Sequence, residues 1–203
     1  MQNLFDLEDE PFVFIRGSPV LTPAQANIAA QLTAGIAAAD VNLLRVAPGM
    51  GRTTILRSVH AQTGGAFLAK PVSNIEALKQ GEIVFVDDLH LLPPTAHAAI
   101  STLVDDAEAS GTKFVLAASG ENELPAVSQR AAVWEMENFA PADYAAIAEY
   151  YLGNEAARLD MTRVHNFAPA LTVDQLKNAC LWLGLREATP DTDSMVQYLR
   201  RGF

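Results

Sequence analysis

Leu43-Leu44-Arg45-Val46-Ala47-Pro48-Gly49-Met50-Gly51-Arg52-Thr53-Thr54-Ile55-Leu56-Arg57 runs from an apolar strand through a Pro/Gly turn into an amphipathic helix. A phosphate loop requires that order, because glycines let the backbone curl until successive N–H groups and the helix N-terminus face an anion. The written pattern for such a loop is Gly, four residues, then Gly-Lys-Ser/Thr. The eight positions here are Val46 to Thr53, with Val46 standing for the first glycine and Arg52 for the lysine. Pro48, Gly49, Met50, Gly51, Arg52, Thr53 and Thr54 are therefore the candidate phosphate-binding residues.

The second half of the constellation is Ile83-Val84-Phe85-Val86-Asp87-Asp88, an apolar strand ending in two carboxylates. On a parallel sheet Asp87 would lie beside the loop, where it could hold Mg2+ through water while Thr53 supplied a hydroxyl ligand. Asp88 would face the γ-phosphate of a bound nucleotide and orient an attacking water. The competing reading is a buried strand with an acidic turn and an unrelated glycine turn elsewhere. Two motif halves in the right order favour the nucleotide site.

The length of 203 residues suits one sizeable domain, read here as a nucleotide-binding α/β core over residues 1–140 and a helical lid over 141–203. Half the residues are hydrophobic, enough for a packed core. No apolar run approaches a membrane span, and Met1-Gln2-Asn3-Leu4-Phe5-Asp6 lacks the basic start of a signal peptide, so the expected location is cytoplasmic. A net charge of −10 argues against a broadly basic nucleic-acid face, so any DNA contact would be local or made through an assembly or a partner. Cys180 cannot form an internal disulfide and reads as a core filler. His60, His90, His97 and His165 lack metal-ligand spacing; His90, close after Asp88, is either a neighbour of the site or a solvated side chain.

Taken in order, an acidic start leads to Pro11-Phe12-Val13-Phe14-Ile15, whose aromatics either line a nucleotide base or pack on the domain. Thr22-Pro23 begins a helix reaching about Ala39, with Thr at the cap and Pro in the first turn. After the loop helix come a short strand at Gly65–Ala69, a helical turn from Ser73, and the carboxylate strand. A helix from Pro94 to about Ser110 ends at Gly111, and Lys113–Ala118 reads as a fourth buried strand leaving through Ser119-Gly120. Ala131–Met136 reads as a fifth strand, preceded by Arg130. This alternation predicts an α/β fold, a three-layer parallel sheet with the nucleotide at its C-terminal edge. Beyond Pro141 the strands stop. Helices are expected over Ala142–Leu152 and about Val173–Leu183 and Thr192–Arg201, with Asn166–Pro169 as a loop.

The loop Pro48-Gly49-Met50-Gly51, the strand Val86-Asp87-Asp88, Ser119 ending the next strand, Arg130 before the fifth and the helical lid together resemble the AAA+ members of the P-loop NTPases, over about residues 19–201. The Asp-Asp pair looks like that of the bacterial replication initiator and its regulatory homologues. Phe5-Asp6-Leu7 with Pro11-Phe12, and Thr53-Thr54-Ile55-Leu56-Arg57, are more similar to secretion-pathway and transposition-regulator ATPases. The resemblance implies ATP and Mg2+ as ligands, with Asp88 in the catalytic carboxylate's place and Ser119 at the first sensor position. It implies for Arg130 the place of an arginine finger acting on a neighbouring subunit's nucleotide, hence a homo-oligomer or a partner AAA+ protein. Ser119 as a strand-end cap and Arg130 as a solvated surface residue are the plainer alternatives.

Several positions depart from the family pattern. Arg52 spreads its charge over a planar fork that does not match a lysine's place between β- and γ-phosphates. Val46 adds bulk where glycine eases the turn, and Asp88 is one methylene shorter than the commoner Glu. Asp174 falls where many members carry a phosphate-sensing arginine. The segment Lys70-Pro71-Val72-Ser73-Asn74-Ile75 is too short for an aromatic threading loop; Lys70 and Lys79 are either ring contacts to a nucleic-acid backbone or solvated lysines. Two function classes follow from the sequence: a slow ATPase that uses ATP-driven assembly to load or regulate a partner on DNA, in replication or transposition, or a hydrolysis-deficient adaptor. A subunit of a secretion or envelope-assembly machine is the third reading.

Overall fold

The computed structural model describes residues 20–68, 82–119, 125–186 and 188–202. Phe12 and Phe14, the helical turn from Ser73, Lys70, Lys79, Gly120 and Phe203 lie outside the described residues. Helix α1 (Pro23–Ala38) starts where Thr22-Pro23 dictates, and Gln25 completes a capping box with Thr22. Strand β1 (Val41–Val46) leads into the loop, α2 (Arg52–Thr63) follows it, and β2 (Ala66–Leu68) and β3 (Ile83–Val86) come next. Then come α3 (Pro94–Asp105), α4 (Ala107–Ser110), β4 (Lys113–Ala118), α5 (Pro125–Arg130) and β5 (Ala132–Met136). After β5 the described chain is helical: α6 (Pro141–Leu152), α7 (Met161–Phe167), α8 (Val173–Gly184) and α9 (Thr192–Arg201).

The five strands form one parallel sheet in the order β2-β3-β4-β1-β5. β1 lies between β4 and β5, with Leu43 opposite Leu116 on one side and Val133 on the other. A strand buried on both faces reads mostly apolar, and Leu43 and Leu44 are both fully buried; the buried Asn42 accepts from Trp134 Nε1 (3.1 Å) and donates to Ala39 O (3.1 Å). Alternate residues feed two separate cores. Leu44, Val46, Phe85, Val115 and Ala117 face α1 and α2, while Leu43, Val84, Val86, Phe114, Leu116 and Ala118 face α3, α4 and α5. The result is the three-layer α/β arrangement that the alternation of elements predicts. It also sets the ends of β3, β4 and β1 side by side, with β4 in the middle.

The core on the α1/α2 face continues without a break into α6, α8 and α9 through Tyr144, Ile147, Leu176, Cys180, Met195 and Leu199. Asp143, only 1% exposed, joins the two parts: Oδ1 accepts from Ala24 N in the first turn of α1 (2.7 Å) and Oδ2 from Ala140 N at the start of α6 (2.8 Å). Its charge is well placed, since both bonds lie at helix N-termini. The buried Tyr144 hydroxyl donates to Ala168 O (2.6 Å) and accepts from Leu171 N (3.0 Å), which fixes the approach to α8. Burial pushes the Cys180 thiol up to about 12, so it stays protonated as an inert filler.

Helical structure departs from the sequence reading in four places. The helix expected to run to Ser110 breaks at Asp106, whose backbone (φ −93°, ψ 3°) separates α3 from α4. Helix α5 occupies the stretch before β5. A 3-10 turn at Gly153–Arg158 and helix α7 fill the region read as punctuation and loop. Short helices with few buried residues carry too little periodicity to be read from sequence; α7 buries only Met161 and Val164.

Asp143→Ala removes two charge-assisted bonds to otherwise uncapped N–H groups. It is expected to lower unfolding free energy by about 2–4 kcal/mol, measured by urea denaturation. An unchanged midpoint would contradict the joining role of Asp143.

Candidate functional site

The loop between β1 and α2 is shaped by two glycines with positive φ, Gly49 (77°) and Gly51 (82°). Each is also sterically required. A Cβ on Gly49 would meet Thr172 Cγ2 at 2.5 Å, and one on Gly51 would meet Gln25 Nε2 at 2.3 Å. Val46, by contrast, needs no glycine: it belongs to β1, pairs with Met136 and is buried. The expected cost of a valine at that position is therefore absent. The turn closes with Ala47 N donating to Met136 O (3.0 Å) and Met50 N to Ala47 O (3.2 Å). Helix α2 then opens at Gly51 with no side-chain cap, its first backbone bond running from Ile55 N to Gly51 O (3.0 Å). The N–H groups of Arg52, Thr53 and Thr54 thus have no acceptor within the helix. Pro48 and Gly49 are exposed; Met50 and Thr54 are buried.

Two supports of this loop were missing from the sequence reading. Gln25, fully buried, accepts from Thr22 N (2.9 Å) and donates Nε2–H to Met50 O (2.8 Å), so the capped end of α1 holds the loop from behind. Thr22-Pro23-Ala24-Gln25 spells the capping box that could have revealed it. On the other side, Val173 N, at the start of α8, donates to Gly49 O (2.9 Å). Asp174 is exposed in that first turn, and its negative charge helps burial and Tyr150 push Tyr151 up to about 12. No contact of Asp174 with the loop is present among the described residues.

The adjacency of β3, β4 and β1 brings Arg52, Thr53, Asp87, Asp88 and Ser119 together. Thr53 Oγ1 donates to Asp87 Oδ2 (2.5 Å). Arg52 is turned onto the ends of β3 and β4. Its Nε donates to Asp87 Oδ1 (2.8 Å), its Nη2 to Asp88 Oδ1 and its Nη1 to Ser119 Oγ. Side-chain exposures of 13%, 7% and 15% for Arg52, Asp87 and Asp88 leave little solvent screening. Planarity explains the bridging, because one guanidinium can present parallel N–H groups to several oxygens at once, whereas an ammonium cannot hold two carboxylates and a hydroxyl in one plane. Asp88 meets the fork from a left-handed backbone (φ 52°, ψ 39°), a conformation that Asp tolerates better than most residues, and its N–H donates to Asp87 Oδ1 (2.8 Å).

Whether these residues suit Mg2+ can be judged from the oxygens. Asp87 Oδ1 already accepts from Arg52 and Asp88 N, Asp87 Oδ2 accepts from Thr53, and Asp88 Oδ1 accepts from Arg52. Asp87, the carboxylate expected to serve the metal, holds a guanidinium that it shares with Asp88, so the arrangement does not fit the ion as it stands. No cluster of three or more His, Cys, Asp or Glu suited to a metal occurs among the described residues.

The remaining candidates lie elsewhere. Arg130 ends α5, half-exposed, and pairs with Asp105 of α3 through Nη2–Oδ1 (3.2 Å) and Nη1 to the backbone O (3.4 Å). It is outside the Arg52 cluster. His90 sits in the 3-10 turn Leu89–Leu91 with its Nδ1 buried and unpartnered, and no bond joins it to the carboxylates. No helix among the described residues is long and apolar enough to cross a membrane.

Comparison by structure finds RuvB of Thermotoga maritima. One RuvB variant superposes with a TM-score of 0.61 at 15% identity, covering 90% of this chain and 73% of that one. The structure titled the RuvB Holliday junction branch migration motor gives 0.58 at 16% identity, covering 87% and 69%. At this identity the likeness is one of fold, and the fold is that of a RuvB-like P-loop NTPase. No protein-family model matches the chain, and no curated protein matches it in sequence.

Arg52→Ala leaves two nearly buried carboxylates without their cation and is expected to destabilise the chain by about 3 kcal/mol. Adding Asp87→Asn and Asp88→Asn to that variant should recover most of the loss. Urea denaturation of the single and triple variants measures both effects, and equal stability of the two would contradict the ion-pair role of Arg52.

Proposed function

We propose that the chain is a nucleotide-binding module of the AAA+ type that holds nucleotide as a conformational ligand and turns it over slowly or not at all. The observation that carries this reading is the guanidinium of Arg52 bound to Asp87, Asp88 and Ser119. In the resemblance drawn from sequence those three side chains have the tasks of serving the metal, polarising water and sensing the γ-phosphate. Here each is engaged by Arg52. The parts that bind phosphate by backbone alone, Gly49 to Thr54 and the uncapped start of α2, are intact. Binding without efficient hydrolysis follows from that division.

The output of such a module is a change in assembly. The start of α8 is hydrogen-bonded to the loop at Gly49, so a nucleotide phosphate entering the loop would act directly on the helical segment. Partners of the proposed assembly are further copies of the chain or another AAA+ protein, with DNA reached through the assembly and not by this acidic surface alone. A DNA transaction is supported loosely by the RuvB fold likeness, whose printed title names a branch migration motor. That likeness lends nothing to the initiator-like or secretion-like resemblances. A second reading, a slow ATPase completed by a neighbour, is favoured by one observation: Arg130 is half-exposed at the end of α5, where its partner among the described residues is Asp105, in a solvent-accessible pair.

Calorimetry with ADP and ATP is expected to detect binding, while phosphate release from ATP in the same samples stays at the level of a no-protein control and the mass by light scattering rises with nucleotide. Absence of binding in a folded sample would overturn the nucleotide reading, and release well above the control would favour the slow ATPase. In the latter case Arg130→Ala should lower release without weakening binding; undiminished release would remove Arg130 from the mechanism.

A further inference from the structure

Asp87 and Asp88 each have Oδ1 bound to a cation supplied by the chain itself. We infer that Arg52 takes the metal's place, so that this site binds the polyphosphate of a nucleotide without Mg2+. The inference rests on the nucleotide-binding reading and adds to it the identity of the counter-ion. Three of the guanidinium's five N–H groups are engaged, one on Asp87, one on Asp88 and one on Ser119. The two that remain, one on each terminal nitrogen, have no partner among the described residues and are the donors left for a phosphate oxygen. The fork therefore bridges carboxylates and phosphate as a metal ion would, through fixed covalent attachment to α2 and with no need for water ligands.

A resident metal would share Asp87 and Asp88 with Arg52, which holds Oδ1 of each, and it would lie beside the guanidinium as a second positive charge in a nearly buried site. Thr53 Oγ1 donates to Asp87 Oδ2 and keeps its lone pairs, but a neutral hydroxyl brings no negative charge to offset a second cation. A lysine at position 52 would change this outcome. Its single ammonium would serve the phosphates and free at least one carboxylate for the ion.

The test is calorimetric titration of the full chain with ADP and with ATP, once in excess EDTA and once in excess Mg2+. Affinity is expected to agree within about threefold between the two conditions. A rise of about tenfold or more on adding Mg2+ would overturn the inference while leaving the nucleotide reading standing. No binding in either condition would overturn both. Two variants give independent readings. Arg52→Lys is expected to make binding depend on Mg2+, and a variant that stays metal-independent counts against the assignment. Should that variant fail to fold, Asp87→Asn with Asp88→Asn is expected to keep or raise affinity in EDTA, since it removes negative charge beside the phosphates; a tenfold loss on adding the two substitutions, measured in Mg2+, would point to a metal site instead. Mn2+ added to protein and ADP should give the electron paramagnetic resonance spectrum of Mn2+ with ADP alone, and an additional protein-bound signal would overturn the inference.

Discussion

Two carboxylates placed side by side at the end of a buried strand are costly to bury without a cation beside them, and that requirement governs this molecule. Asp87 and Asp88 stand at the end of β3, where the sheet order puts β4 and β1 immediately beside them. Water is largely absent, so the positive charge must come from the chain or from a ligand. Arg52, at the first position of α2, is the residue that the strand order brings within reach. Loop, strand ends and helix are thereby tied through one side chain. The ion pairs add specificity to the arrangement more than they add net stability, because the desolvation of three charges offsets much of their attraction.

Around that centre the phosphate loop is held from two directions that do not depend on charge. Gln25 fixes Met50 from the core, and the start of α8 meets Gly49 from the helical segment. The loop thus reports the position of two elements distant in sequence. Asp143 makes the same connection a second time by joining the starts of α1 and α6. Because the apolar core runs unbroken from β1 to α9, a displacement at the loop can reach the last helix through packed side chains.

Much of the fold was legible because its strands are apolar runs with clean ends. β1 and β4 are buried on both faces and stop at a glycine turn and at Ser119, and α1 announces itself through Thr22-Pro23. The meeting of Thr53 with Asp87 was legible for the same reason, since parallel strands of known order must bring those ends together. What could not be read was set by side-chain shape and not by pattern. The sequence says that position 52 is cationic; only the fold reveals that a planar fork there reaches three partners within the chain. Val46 looked costly against the motif, yet the strand simply extends one residue further and absorbs it. α5 and α7 escaped because each is short, and the break at Asp106 because the helical residues on either side of it continue without a proline or glycine between them.

The left-handed backbone at Asp88 bears on how this site could change over generations. Replacing Asp88 by a longer carboxylate puts a residue less tolerant of that conformation into it, at a cost of about 1 kcal/mol. Exchanging Arg52 alone for a lysine strips a carboxylate or Ser119 of its partner. Each single step back toward an ordinary phosphate loop therefore runs uphill, and the backbone cost at position 88 persists whichever cation stands at position 52. Once a lineage had adopted the arginine and the short acid together, stability selection acting on one residue at a time would hold it there. In evolutionary terms the site behaves as a ratchet whose pawl is the backbone angle at a single aspartate.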